Sequence, residues 1–190
     1  MVEGMYFMLS KLRSLRLLLM ALAVGAIALV PARARAVTVS VSPADTTVLR
    51  GDSFTLRLTI DGFPDLKAYQ LIHRFNPTVI QYLGPVAGDV LTGSGSPYVI
   101  NPIPDVAAPV DTAWTDCAQL VNSTSGPGVL LYLKFKAVEF GLSPIECLGV
   151  DLRDSLNNST IPLCANGRVR VVGPVPVLRH SWGSLKQAYR

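Results

Sequence analysis

Beyond its first 36 residues, the 190-residue chain carries two glutamates, Glu139 and Glu146, and two histidines, His73 and His180. Hydrolysing a glycosidic bond takes two carboxylates flanking it, and the aspartates are scattered along the chain without naming such a pair. No Gly-x-Ser-x-Gly turn, His-Glu-x-x-His helix or phosphate-cradling glycine loop is present. Gly93-Ser94-Gly95-Ser96 lacks the strand-to-helix setting of a phosphate loop and reads as a flexible connection. His73 sits in the inward set of an alternating segment, which predicts a hydrogen-bonded core histidine rather than a base. These residues imply a non-enzyme that needs no cofactor.

Cys117, Cys147 and Cys164 allow one bridge and one leftover thiol. Cys147 and Cys164 flank the Asp154–Thr160 turn region and are the preferred pair, with Cys117–Cys164 as the alternative. A redox or metal site would be the sharper reading, but no Cys-x-x-Cys occurs and no histidine lies within a few residues of a cysteine. Asp151, Asp154, Asn157 and Asn158 gather oxygen ligands without the order of a calcium loop. They predict a turn held by Asn and Asp side chains. Trp114, Tyr98, Tyr82 and Tyr132 are the candidates for stacking on sugars. Trp114 is expected to fill the core, and Tyr132, outward on its strand, makes no platform alone.

The elements that position these residues follow from period and charge. Lys11-Leu12-Arg13-Ser14-Leu15-Arg16 precedes an apolar run from Leu17 to Val30, then Pro31 and Ala34-Arg35-Ala36. That is the layout of a secretory signal peptide over residues 1–36, cleaved after Ala36. The run has 14 residues, against the roughly 20 a membrane-spanning helix needs. Residues 37–190 contain no second run of membrane length, so the mature chain is expected to be secreted or associated with the cell surface. The overall charge of +4 belongs to the ends: residues 37–172 hold 9 basic and 12 acidic residues. A nucleic-acid-binding body would need clustered positive charge instead.

From residue 37 onward the hydrophobic period is two. Val37, Val39 and Val41 alternate with Thr38, Ser40 and Ser42. Phe54, Leu56, Leu58 and Ile60 alternate with Thr55, Arg57 and Thr59. Tyr69, Leu71, His73 and Phe75 face one way, and Ala68, Gln70, Ile72 and Arg74 the other. Val129, Leu131, Leu133, Phe135 and Ala137 alternate with Leu130, Tyr132, Lys134 and Lys136, and Val169 and Val171 close the series. Such segments are strands with one buried face. They are separated by turn formers, among them Gly51-Asp52, Asp61-Gly62-Phe63-Pro64 and Asn76-Pro77. About nine short strands over residues 37–172 predict an all-β, nine-stranded antiparallel sandwich with jelly-roll topology.

The run Gly51-Asp52-Ser53-Phe54-Thr55-Leu56-Arg57-Leu58, then Pro64 to Gln70, then Phe75-Asn76-Pro77-Thr78-Val79-Ile80, resembles a cohesin domain. The later half agrees, with Gly128-Val129-Leu130 before a strand, Gly141 to Ile145, Asp151 to Asn158, and Asn166-Gly167 opening the last strand. The resemblance covers roughly residues 38–172. It implies a non-catalytic jelly roll whose family partners are calcium-loaded dockerins of secreted polysaccharide-degrading enzymes. Phe75-Asn76-Pro77 stands where the family usually has Tyr-Asp-Pro. Well-known dockerin binders present Asn and Asp on the outer face of the third strand, and those positions fall here on Ala68 and Gln70. The outer acid of the eighth strand falls near Gly149.

The partner-binding face is therefore expected at Gln70, Ile72 and Arg74, with Asp151 and Arg153 from a neighbouring strand. Its occupant is expected to be a dockerin-like protein; alternatives are direct binding of a polysaccharide and a structural role in the envelope. Residues 173–180 read as a stiff Pro-rich linker. Residues 181–190 can form a short helical tail with Trp182, Leu185 and Tyr189 on one apolar stripe, suited to docking on a secretion or envelope component.

Overall fold

Strands form where the alternation lets one face meet a core and leaves hydroxyls and charges on the other. The computed structural model of the chain describes residues 36–105 and 109–174. The expected signal segment, most of the linker, and the tail with Trp182, Leu185 and Tyr189 lie outside the described residues. Twelve strands follow in order: β1 Thr38–Ser42, β2 Asp45–Leu49, β3 Ser53–Ile60, β4 Ala68–Arg74, β5 Ile80–Ala87 and β6 Tyr98–Ile103. Then come β7 Thr112–Gln119, β8 Gly128–Ala137, β9 Gly141–Arg153, β10 Ser159–Thr160, β11 Leu163–Ala165 and β12 Gly167–Val172. A single-turn helix, α1 at Asp89–Thr92, follows β5.

One sheet has the order β11-β1-β3-β8-β5, and the other β2-β12-β9-β4-β7-β6 with β10 paired to β9. The first five strands alternate between the two sheets, and this winding builds an all-β jelly-roll sandwich. Two features depart from the expected nine antiparallel strands. β10 and β11 have two and three residues, too short to leave a period in the sequence. In addition, β1 pairs parallel with β11 and β2 parallel with β12, because the first strands close against the last ones. The parallel closures come from pairings distant in sequence, whereas β10 folds back on the neighbouring β9. Among the described residues no helix is long and apolar enough to cross a membrane.

The core lies between the sheets. Val39, Val41, Leu56, Leu58, Ile60, Tyr69, Leu71, Ile145, Leu152, Val169 and Val171 are buried in it. Phe135 of β8 holds its centre, with Phe54, Phe75 and Tyr82 packed around the ring. Leu130, expected outward, is fully buried. A bulge in the β3–β8 pairing lets Leu58 face Leu131 while Thr59 faces Val129, so Leu130 escapes the alternation. Its surroundings are close-packed: a Cβ on Gly88 would run into the Val129 carbonyl.

His73 is in the core, 1% exposed, but the hydrogen bond expected of it is missing. Neither Nδ1 nor Nε2 has a partner. Tyr69, two residues earlier, does donate its hydroxyl to the Leu130 carbonyl at 2.8 Å.

Cys147 and Cys164 form a disulfide with Cα atoms 6.2 Å apart, tying β9 of one sheet to β11 of the other. Cys117 is a free buried thiol, and burial pushes it up to about 12, so it stays protonated and unreactive. The bridge spans a sequence separation of 17, and closing a loop of that length restricts the unfolded chain by about 3 kcal/mol. Reducing it is expected to lower stability by about that amount, read from the urea midpoint and the m-value together, since the released unfolded chain exposes more surface. No shift would mean the reduced chain is restrained by other means.

Candidate functional site

The outer face of β6-β7-β4-β9 is built rung by rung from the register. Ala68 lies between Ala118 and Arg153, and Gln70 between Asp116 and Asp151. Ile72 lies between Trp114 and Gly149, and Arg74 between Thr112 and Glu146. On β6, Val99 faces Ala118, Asn101 faces Asp116, and Ile103 faces Trp114. The inward parity of Tyr69, Leu71 and His73 obliges Gln70, Ile72 and Arg74 to point out together. Antiparallel pairing with β9 then sets Asp151 and Arg153 beside them. All five residues singled out from the sequence share this one face.

The polar groups of the face hold one another in place. Gln70 Nε2 donates to Asp116 Oδ1 at 2.9 Å. Asp151 accepts from Arg153 Nε at 3.0 Å and from Ser159 Oγ at 2.5 Å. Arg74 pairs with Glu146 at 2.5 Å, which raises the guanidinium's pKa through that hydrogen bond. These are exposed or half-buried pairs, and their main effect is to fix direction rather than to stabilise the fold.

Between the Gln70 and Arg74 rungs the face carries Ile72, Trp114 and Ile103, and hollows lie along it. Ala68 and Ala118 are small, so the surface dips between Val99 and Arg153 into a cavity of about 340 Å³. A second hollow of about 360 Å³ lies along Ile72, Pro104, Thr112 and Trp114. Ile72 lies over Gly149, where a Cβ would sit 3.6 Å from its Cδ1. Beside them Leu148 is 51% exposed, displaced outward by a bulge between Ile72 and His73 in the β4–β9 register.

Trp114 corrects an expectation: it stands on this outer face, 36% exposed, and not in the core. On β7 the buried set is Ala113, Thr115, Cys117 and Gln119, so the opposite parity carries Trp114 with Asp116 and Ala118. Asp116 was the signal that could have found it, since a carboxylate two residues away marks the solvent side. Asn101 and Asp116 join the face only through strand pairing, and Leu148 only through the β4–β9 bulge, so none of the three is legible from its neighbours in sequence.

The Asp154–Asn158 cluster is a turn, as its residue types predict. The Asp154 carboxylate accepts from the backbone N–H groups of Leu156 and Asn158, at 2.9 and 2.8 Å, and from Asn158 Nδ2 at 2.8 Å. Asn157 takes the left-handed conformation at φ 66°, which Asn tolerates well. The bonds from Asn158 hold the Asp154 carboxyl below its ordinary value.

No protein-family model matches the chain, and no curated protein matches it significantly. Solved structures do match. A non-cellulosomal cohesin from the hyperthermophilic archaeon Archaeoglobus fulgidus has a TM-score of 0.60 at 16% identity, covering 73% of this chain and 93% of that one. A type I cohesin–dockerin complex from Clostridium thermocellum gives 0.60 at 13% identity, with 73% and 100% covered. A type II cohesin from the cellulosome of Acetivibrio cellulolyticus gives 0.58 at 15%, with 71% and 95% covered.

The fold is cohesin-like. At these identities the likeness is one of backbone, so the side chains of the outer face have to be read on their own. In this cohesin-like sandwich they make an apolar centre of Ile72, Ile103 and Trp114, edged by Arg74, Asp116, Asp151 and Arg153.

Proposed function

We propose that the chain is an exported, non-catalytic binding module whose β6-β7-β4-β9 face holds a dockerin-like protein partner in a system that degrades extracellular polysaccharide. The observation that carries this reading is the composition of that face. An apolar centre inside a rim of charged and amide groups is the make-up of a protein–protein interface. The hollow over Ala68 and Ala118 adds a seat for a partner side chain, with the Gln70–Asp116 pair along its edge. Export is read from the basic and apolar segment ending at Ala36. Solved cohesins of this fold have been captured in complexes with dockerins, which supports the class of partner. Sugar recognition is the weaker reading, because Trp114 supplies one ring where a flat strip would be needed.

The test is capture from the culture fluid of the source organism by the purified chain, with and without a calcium chelator. Insoluble cellulose, xylan and chitin serve as parallel baits. Chelator-sensitive capture of a protein, without retention on the glycans, is the expected result. Ile72→Arg puts a charge at the centre of the apolar patch and is expected to weaken that capture about 100-fold, or on the order of 2–3 kcal/mol. Retention on a glycan, competed by soluble sugar and unaffected by the substitution, would overturn the proposal.

A further inference from the structure

His73 lies directly opposite Cys147 in the β4–β9 pairing, and Cys147 is bridged to Cys164 on the facing sheet. A ring nitrogen of His73 and the two sulfurs all lie within 4.8 Å of one another. Among the described residues no other three His, Cys, Asp or Glu side chains are grouped in this way. The imidazole is 1% exposed, and both of its nitrogens lack a hydrogen-bond partner. Leaving a buried polar group unpaired costs about 1–3 kcal/mol, which an apolar side chain of similar size would not. Packing therefore gives no reason for histidine at this position, whereas ligand chemistry does. A neutral imidazole and two thiolates are the donors that thiophilic cations select.

We propose that, once the bridge is reduced, His73, Cys147 and Cys164 form a three-ligand site for a thiophilic divalent cation of the zinc class. The metal-loaded and disulfide-bonded states then exclude one another. The frame for the site exists in the folded chain. His73 and Cys147 are held by strand pairing, and the Cys147 N–H donates to Asn166 Oδ1 at 2.9 Å. Cys164 is held by the parallel β1–β11 pairing, opposite Val39. Two thiolates on a tetrahedral zinc stand about 3.8 Å apart, from Zn–S bonds of about 2.3 Å, so the freed sulfurs have only to separate by side-chain rotation. Both cysteines are half-buried, which leaves solvent access for a fourth ligand.

A trialkylphosphine performs the reduction cleanly. It takes the oxygen of one water as phosphine oxide, and the disulfide becomes two thiols. Binding of the divalent cation then displaces both thiol protons. The full chain, reduced in this way and freed of phosphine without air, is titrated with Co(II) and afterwards with Zn(II). One equivalent of Co(II) is expected, with thiolate-to-cobalt charge-transfer absorption that zinc abolishes, and none in the disulfide-bonded chain. Reduced His73→Phe is expected to bind at least about tenfold more weakly, since even outer-shell losses cost that much.

Nitrogen NMR of a His180→Ala chain, in which His73 is the only imidazole, reads the same ligand without altering the site. One ring nitrogen is expected to shift on addition of zinc. Failure of the reduced chain to bind, equal binding by His73→Phe, or an unmoved His73 ring signal would each overturn the proposal. So would a reduced chain that unfolds and is not refolded by zinc.

Discussion

Phe135→Ala is expected to destabilise the domain by about 3–5 kcal/mol, the range for removing a fully buried phenylalanine. Phe135 is 1% exposed, on a strand paired on both sides by β3 and β5. Its ring stacks on Phe54 at 5.7 Å between centroids, meets Phe75 edge-on at 5.3 Å, and tilts against Tyr82 at 5.4 Å. Three rings held by separate segments cannot all move in to fill the vacated space, so a cavity remains. Each aromatic pair also contributes beyond its buried area. Phe135→Leu, which keeps most of the volume, is expected to lose less than half as much. Denaturant unfolding at constant m-value reads both. A loss below about 1 kcal/mol for the alanine variant would mean that the core does not centre on this ring.

Acidification is expected to remove stability on the order of 3 kcal/mol between about pH 6.5 and pH 4, through His73 alone. Burial holds the His73 imidazole down to about 4, from an ordinary value of 6.5. The unfolded chain binds a proton there below 6.5, while the folded chain stays neutral until about 4. Stability is therefore full above the unfolded value, falls as the pH drops, and levels off below the folded one.

The carboxylates act in a different window. Asp45 is held low by the Arg168 hydrogen bond, Asp65 by those of Ser123 and Ser155, and Asp154 by those of Asn158, each from an ordinary value of 3.8. What they contribute is present above 3.8 and is lost only below it. Urea midpoints between pH 7 and pH 4.5 thus isolate the histidine, and His73→Phe is expected to flatten the profile there. An unchanged slope in that variant would assign the pH dependence to other groups.

The proposed binding face was half legible from β4. Once Tyr69, Leu71 and His73 are recognised as the inward set, Gln70, Ile72 and Arg74 must share the other side, because a strand offers only two faces. Asp151 and Arg153 were found through the family resemblance and then placed beside them by strand pairing. Trp114 departs from the expectation because residue type alone points a large apolar side chain to the core. The parity of Ala113, Thr115 and Cys117 overrides type, and a sheet surface with small inward residues leaves its tryptophan outside. Leu130 failed differently. Alternation assumes unbroken pairing, and the bulge opposite Leu58 and Thr59 leaves Leu130 outside the register and buried, while Leu131, Leu133, Phe135 and Ala137 keep their expected side.

Local chemistry is written in neighbouring residues and can be read from their order. It includes the two-residue period of the strands, the Asp154–Asn158 turn and the outward row of β4. Each depends on interactions spanning a few positions, so the order of residue types suffices to read it. The tertiary structure alone decided what meets across the sandwich. The parallel closures of β1 on β11 and β2 on β12, the apolar centre shared by Ile72, Ile103 and Trp114, and the meeting of His73 with Cys147 and Cys164 all belong there. No cysteine has a histidine near it in sequence, yet β-pairing sets His73 directly opposite Cys147. Strand pairing joins segments according to how they bury a common core, and that choice is made by the whole chain at once.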